Sequence, residues 1–197
     1  MTKIIGLTGG IGSGKTTIAK YIESKGIPIY IADDEARKII ELPEISSAIK
    51  SSFGETVFDK GKLNREQLAA IVFGNPEKLK QLNKIVHPAV KIHFENWLKK
   101  HKKSDFIVKE AAILFESGGD KDCFAIITVV APLEVRIERV VKRDKSDIEN
   151  IRKRINNQWT DAMRIEKSDY VIQNSNIDNA KSQIDEVLEI ISKKSLE

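Results

Sequence analysis

One cysteine, Cys123, in 197 residues leaves nothing to pair within the chain. That excludes a disulfide-stapled scaffold, and a reducing, cytoplasmic setting is expected. No apolar run is long enough to span a membrane. The longest, Phe124 to Leu133, is about half of the roughly 20 residues that a span requires. Met1-Thr2-Lys3 leads directly into a strand-like segment, so no signal peptide is expected there. Aromatic residues make up only 6% and do not cluster, which removes the stacking platforms that single-stranded nucleic acids use. The net charge of +4 suits a site for anionic substrates but is too small to argue for nucleic acid. What is present is 41% hydrophobic and 31% charged residues, enough for one full domain with a core and one or two small insertions.

Ile4-Ile5-Gly6-Leu7-Thr8 is a short apolar run ending in glycines and reads as a buried strand. A glycine-rich turn follows, then a helical stretch from Lys15 to Lys25 stopped by Gly26. Ile27-Pro28-Ile29-Tyr30-Ile31 is a second strand. Strand, helix and strand within about thirty residues make a βαβ unit, which implies a parallel sheet. From Asp33 to about Asn96 the apolar period turns helical, as in Leu79, Leu82, Ile85 and Val86, with breaks at Pro43, Gly54, Gly61 and Gly74-Asn75-Pro76. Strands are expected at Asp105–Lys109, Cys123–Ala131 and Asp169–Gln173. Helices are expected at Leu133–Asp144, Asp147–Asn157 and Asp178–Lys193.

Gly9, Gly14, Lys15 and Thr16 complete the pattern G-x-x-x-x-G-K-[ST] between a strand and a helix. Glycines let the backbone turn its amides onto phosphate oxygens, and the helix start adds its positive dipole end. Lys15 would reach the β- and γ-phosphates, and the Thr16 hydroxyl would ligate Mg²⁺. Asn83-Lys84-Ile85-Val86 lacks the aspartate of a guanine-reading N-K-x-D, which argues against a GTPase switch.

Asp33 follows the second strand, where open parallel sheets bind ligands. It could accept the proton of an attacking hydroxyl or help hold Mg²⁺ through water, or simply cap the next helix; Asp34 is a candidate for that cap. Arg139 and Arg143, four apart, share a helix face and could both point at the nucleotide. Arg136, Lys142, Lys145, Lys153 and Arg164 are expected on solvated basic faces. His87 precedes Pro88, which restricts it toward extended backbone, so the pair is expected to end a helix. A histidine there could cap that end or, as His⁺, meet an anionic ligand. Trp97 and Trp159 read as packing.

The chain resembles the dephospho-coenzyme A kinase family almost end to end. The resemblance rests on Gly6 to Thr17 with its Gly-Gly-Ile-Gly core, on Ala32-Asp33 with Ala36-Arg37, and on Lys62-Leu63-Asn64-Arg65. It continues through Ile85-Val86-His87-Pro88, Leu114-Phe115-Glu116-Ser117-Gly118, Glu138-Arg139 to Asp144, Arg154-Ile155-Asn156-Asn157-Gln158 and Asp169 to Asn174.

The resemblance implies an α/β fold: a P-loop NTPase-type parallel sheet flanked by helices, with a helical substrate-binding insertion and a helical lid. The core would be 1–32, 104–135 and 168–197, the coenzyme A-binding insertion 33–103 and the lid 136–167. It implies transfer from ATP, with Mg²⁺, to the ribose 3′-hydroxyl of dephospho-coenzyme A. Gly10, Ile11, Gly12, Ser13, Gly14, Lys15, Thr16 and Thr17 would wrap the ATP phosphates. Asp33 would be the base, Arg139 would lie in the lid over ATP, and Asn174 near the adenine. Arg65, His87 and Glu110 would lie near the acceptor. No nucleic-acid or membrane partner is expected, and the chain would be a monomer or a weak homo-oligomer.

Ile31 stands where the family often has the first aspartate of D-A-D, leaving Asp33 as the carboxylate there. Glu110-Ala111-Ala112 replaces its commoner D-V-P. A nucleoside or nucleoside-monophosphate kinase would share the loop, insertion and lid. A nucleotide-dependent RNA-binding module has only the mild basic excess in its favour.

Overall fold

The computed structural model describes residues 1–73, 75–145 and 147–196. The chain divides into two units, residues 1–31 with 101–197, and residues 32–100. The first unit opens with strand β1 (Lys3–Thr8), in which five of six residues are buried. Helix α1 (Lys15–Glu23) follows, then strand β2 (Ile29–Ile31).

The second unit holds helices α2 (Ala32–Ile39) and α3 (Pro43–Phe53) and a short 3₁₀ turn at Glu55–Val57. A small antiparallel hairpin of β3 (Phe58–Asp59) and β4 (Lys62–Leu63) comes next, then helices α4 (Arg65–Phe73) and α5 (Pro76–Lys100). Lys60 and Gly61 both take positive φ, 48° and 77°, which is what a two-residue hairpin turn with the natural strand twist requires. Ile49, Val57, Leu68 and Val72 form this unit's core.

Two expectations fail here. Helix α2 begins at Ala32, directly after β2, so Asp33, Asp34 and Glu35 occupy its first turn and Asp34 is not a cap. Acidic side chains there meet the positive end of the helix. Pro88 does not end a helix either; it sits inside the 25-residue α5. The proline removes an N–H and crowds the Lys84 carbonyl, costing about 3 kcal/mol. Packing of α5 against α2, α3 and α4, with Val86 and Phe94 buried, outweighs that cost.

The chain re-enters the first unit with β5 (Phe106–Glu110) and β6 (Ala125–Val130). Helices α6 (Leu133–Asp144), α7 (Ile148–Asn156) and α8 (Asp161–Glu166), strand β7 (Tyr170–Gln173) and helix α9 (Ile177–Lys194) complete it. The five-stranded sheet runs β2-β5-β1-β6-β7 with every pairing parallel. Its strands are apolar nearly throughout because helices cover both faces. Ile5, Leu7, Ile18, Ile22, Ile127, Ile172 and Ile184 are fully buried together. Each such side chain contributes about 1.5–3 kcal/mol by leaving water. Burial also pushes the Cys123 thiol up to about 11, which keeps it protonated and unreactive.

Helices α6 and α7 are joined by an apolar seam of Ile137, Val140 and Ile151 and by one carboxylate. Asp144 accepts hydrogen bonds from Arg143 at 2.6 Å and from Arg154 at 3.0 Å. Arg143, with help from Arg154, lowers its pKa from 3.8 to about 2. A carboxyl depressed by folding adds stability above its unfolded value and loses it as the pH falls through its folded value. Asp144→Asn is therefore expected to cost about 0.5–1 kcal/mol at neutral pH. Urea titrations of both proteins should show the gap closing from pH 3.8 toward about 2. A gap independent of pH would contradict this reading.

Candidate active site

The turn between β1 and α1 departs from ordinary backbone at three glycines. Gly9, Gly12 and Gly14 have φ of 149°, 79° and 93°. A Cβ at Gly9 would lie 2.2 Å from the Val129 carbonyl oxygen of β6, and one at Gly12 would lie 2.4 Å from the Arg136 carbonyl oxygen. At Gly14 it would meet the Asn174 side-chain nitrogen at 2.1 Å. Glycine is thus required here twice, by φ and by space.

Gly14 precedes α1, whose first turn carries no acidic side chain. Thr16 and Thr17 are exposed in that turn, while Lys15 is buried with its Nζ 3.4 Å from the Gly10 carbonyl. A helix start on a glycine turn, with a buried ammonium and no acidic side chain in the helix's own first turn, suits an anion.

Residues from far along the chain meet this turn. Asn174, buried just past β7, donates its Nδ2–H to the Ser13 carbonyl at 2.7 Å. Arg139 of α6 donates to the same carbonyl at 3.4 Å and to the Asn174 carbonyl at 3.0 Å. Among the described residues, the buried Thr8 Oγ1, Ser13 Oγ and Asn174 Oδ1 have no hydrogen-bond partner. Orphaned buried polar atoms are rare in folded proteins, and three gathered at one turn fit a site that receives a polar ligand. Glu110 is buried at the carboxyl end of β5, in register with Leu7 of β1 and Ile31 of β2.

Two arginines expected on solvated faces are instead buried. Arg136 is 6% exposed; its Nε–H donates to the Ile11 carbonyl at 2.9 Å and its Nη1 to Asp161 at 2.9 Å. Arg164 is fully buried and donates to the Trp159 carbonyl, while its other nitrogen lies 3.4 Å from Glu116. Trp159 stacks on Phe115 at 5.6 Å, which bears out its reading as packing. Arg143 turns from the glycine turn to Asp144, so only Arg139 of that pair reaches it.

The other predicted residues lie in the second unit. Asp33 is exposed in the first turn of α2. Arg65 donates to the Arg37 carbonyl at 2.9 Å and pairs with Glu41. His87 is on the exposed side of α5, yet desolvation by its neighbours lowers its pKa from 6.5, which works against the cationic form expected for it. Among the described residues no three His, Cys, Asp or Glu side chains form a group that could hold a metal ion. The Thr16 hydroxyl, exposed in the first turn of α1, is an oxygen of the kind that hard divalent cations take as a ligand.

A family model described as dephospho-CoA kinase matches residues 3–179. A curated dephospho-CoA kinase from Fusobacterium nucleatum is 43% identical over 190 residues, covering 95% of this chain and 98% of that protein. A solved structure from Thermus thermophilus aligns with a TM-score of 0.89 at 31% identity, over 96% of this chain and 97% of that one. The dephospho-CoA kinase of Campylobacter jejuni aligns at 0.63 and 22% identity, over 98% of both chains, a likeness of fold.

The glycine turn makes its own prediction. Gly9→Ala places a methyl group against the Val129 carbonyl at a backbone angle that side chains rarely adopt. It should lower unfolding stability by about 2–4 kcal/mol. Urea unfolding checks this, and a loss below about 0.5 kcal/mol, the level of a bland surface change, would contradict it.

Proposed function

The chain belongs to the dephospho-CoA kinase family, and we propose that it moves the γ-phosphoryl group of ATP to the ribose 3′-hydroxyl of dephospho-CoA. The products are CoA and ADP, and the reaction is the last step of CoA biosynthesis. The observation that carries this reading is the family match across residues 3–179 of a chain whose glycine turn is intact and held.

The segment Gly12 to Thr17 wraps the β- and γ-phosphates, with Gly10 and Ile11 shaping the turn. Lys15, buried beside Gly10, puts its ammonium where charge gathers on the transferring group. Arg139 supplies a second cation from the 136–167 segment, which serves as the lid. Asn174, with its buried Oδ1, contributes to the nucleotide side of the site. The Thr16 hydroxyl would help hold Mg²⁺ together with the nucleotide, and the ion would supply neutralisation of phosphate charge.

Asp33 accepts the proton of the 3′-hydroxyl as its oxygen attacks the γ-phosphorus. The second unit, residues 32–100, serves as the acceptor-binding insertion expected at 33–103, with Arg65 and His87 facing the acceptor. Glu110 lies at the strand ends where open parallel sheets bind ligands. The protein works in the cytoplasm as a monomer or weak homo-oligomer. Among the described residues no helix is long and apolar enough to cross a membrane.

Asp33→Asn should lower kcat by about 10²–10⁴-fold with ATP affinity unchanged, as read by ADP release with dephospho-CoA as acceptor. Near-wild-type kcat at neutral pH would remove Asp33 as the base. Thermal stabilisation of the wild-type protein by dephospho-CoA, but not by AMP or CMP, distinguishes this acceptor from a nucleotide. Stabilisation by AMP or CMP alone would overturn the acceptor assignment.

A further inference from the structure

The consensus of the phosphate-loop pattern asks for glycine at its first and sixth positions, Gly9 and Gly14, and leaves the four between them open. Here the second position is also glycine. The reason is a side chain that lies against it: a Cβ at Gly10 would fall 2.1 Å from Nη2 of Arg136 and 2.6 Å from its Cζ. The guanidinium occupies the space that any other residue at position 10 would fill.

The next residue, Ile11, is gripped at every group it has. Its carbonyl accepts the Arg136 Nε–H at 2.9 Å. Its N–H donates to Gln158 Oε1 at 2.9 Å. Its side chain, 9% exposed, packs with Ile137, Val140 and Ile151 in the seam between α6 and α7. These partners lie at least 125 residues away in sequence, so nothing local to the turn provides them.

The grip is itself anchored. Asp161 accepts from Arg136 at 2.9 Å, and Arg164 lies 3.5 Å from its other oxygen. Arg164, with no exposed surface, reaches on to Glu116 in the loop after β5. Glu116 in turn accepts the Trp159 N–H at 3.1 Å, next to Gln158. A planar guanidinium with several fixed donors can serve a carbonyl and a carboxylate at once; an ammonium cannot hold that geometry.

We infer that Arg136 and Gln158, seated on Gly10 and braced by Asp161, are positioning residues for the phosphate loop: they fix its backbone from outside so that its inward amides are aimed at the nucleotide before it arrives. Neither touches the phosphates. Their effect passes through the Ile11 peptide groups, and a loop displaced by about an ångström loses much of its fit to the transferring group. This inference rests on the kinase reading of the turn and adds residues to it.

The test uses the full chain carrying Gly10→Ala, Arg136→Lys or Gln158→Ala, and the double variant of the first two. Steady-state kinetics are measured with ATP and dephospho-CoA, and ADP is titrated calorimetrically with no acceptor present. Each single variant should weaken ADP binding and raise the KM for ATP roughly three- to tenfold, the worth of one positioned hydrogen bond. The KM for dephospho-CoA should stay within about twofold of wild type. The double variant should be no worse than the poorer single, because both changes remove the same seat.

Wild-type ADP affinity and ATP KM in Arg136→Lys and Gln158→Ala would overturn the inference, as would a lowered Tm with unchanged kinetic constants. If the buried changes prevent folding, the half-buried Gln158→Ala decides alone. If the wild-type chain binds ADP but does not turn over dephospho-CoA, the functional reading fails, and the ADP titrations still decide the positioning claim.

Discussion

A backbone that turns amides inward to receive an anion has little inside to hold it in that shape until the anion comes: here the Ser13 N–H and the Lys15 ammonium both meet the Gly10 carbonyl, at 3.1 and 3.4 Å. The inward N–H dipoles repel one another, three glycines stand at positive φ, and each ordered residue costs about 1–2 kcal/mol of chain entropy. Much of the shape is imposed from outside. β1 and β6 fix one end, where Gly9 abuts the Val129 carbonyl. Asn174 and Arg139 hold Ser13, and Arg136 and Gln158 hold Ile11. All four of these holding residues come from the part of the first unit that lies beyond β6 in the chain.

The buried arginines follow from that requirement. A buried ion pair seldom adds net stability, because desolvation offsets most of the attraction. Arg136 and Arg164 sharing Asp161, with Glu116 beyond, is thus a poor device for making a fold more stable. It is a good device for specifying one geometry, since each donor has one direction that satisfies it. The elements it ties are α6, α8 and the loop after β5.

What could be read in the sequence was local. The strand, glycine turn and helix at residues 3–23 lie contiguous in the chain, and each signals itself by period or by glycine. Helix α6 spans Leu133–Asp144, the same bounds that its amphipathic period predicts. The burial of Arg136 and Arg164 was not legible. Spacing shows which residues share a helix face, not which face a distant carbonyl will claim, and Ile11 is 125 residues from Arg136. Pro88 misled for a related reason: the local preference to end the helix is real, and tertiary packing overrides it. The Lys60-Gly61 hairpin was too short, at two residues a strand, to carry an alternation. Helix α8, with six residues, was equally silent, yet it bears Asp161 and Arg164. Asp33 stands out in the sequence by its place after a strand, and the immediate start of α2 there replaces a capping aspartate with an acidic first turn.

The chemistry follows from the loop's task. Phosphoryl transfer asks little covalent work of a protein and a great deal of placement and charge. The acceptor is the part that family membership supplies, because nothing in the turn itself chooses a ribose hydroxyl. The most direct test is to incubate the chain with ATP, Mg²⁺ and dephospho-CoA and identify the products by phosphorus NMR. The account predicts ADP and a new phosphomonoester on the ribose 3′ carbon in equal amounts. ADP with free phosphate, or a phosphomonoester at any other position, would contradict it.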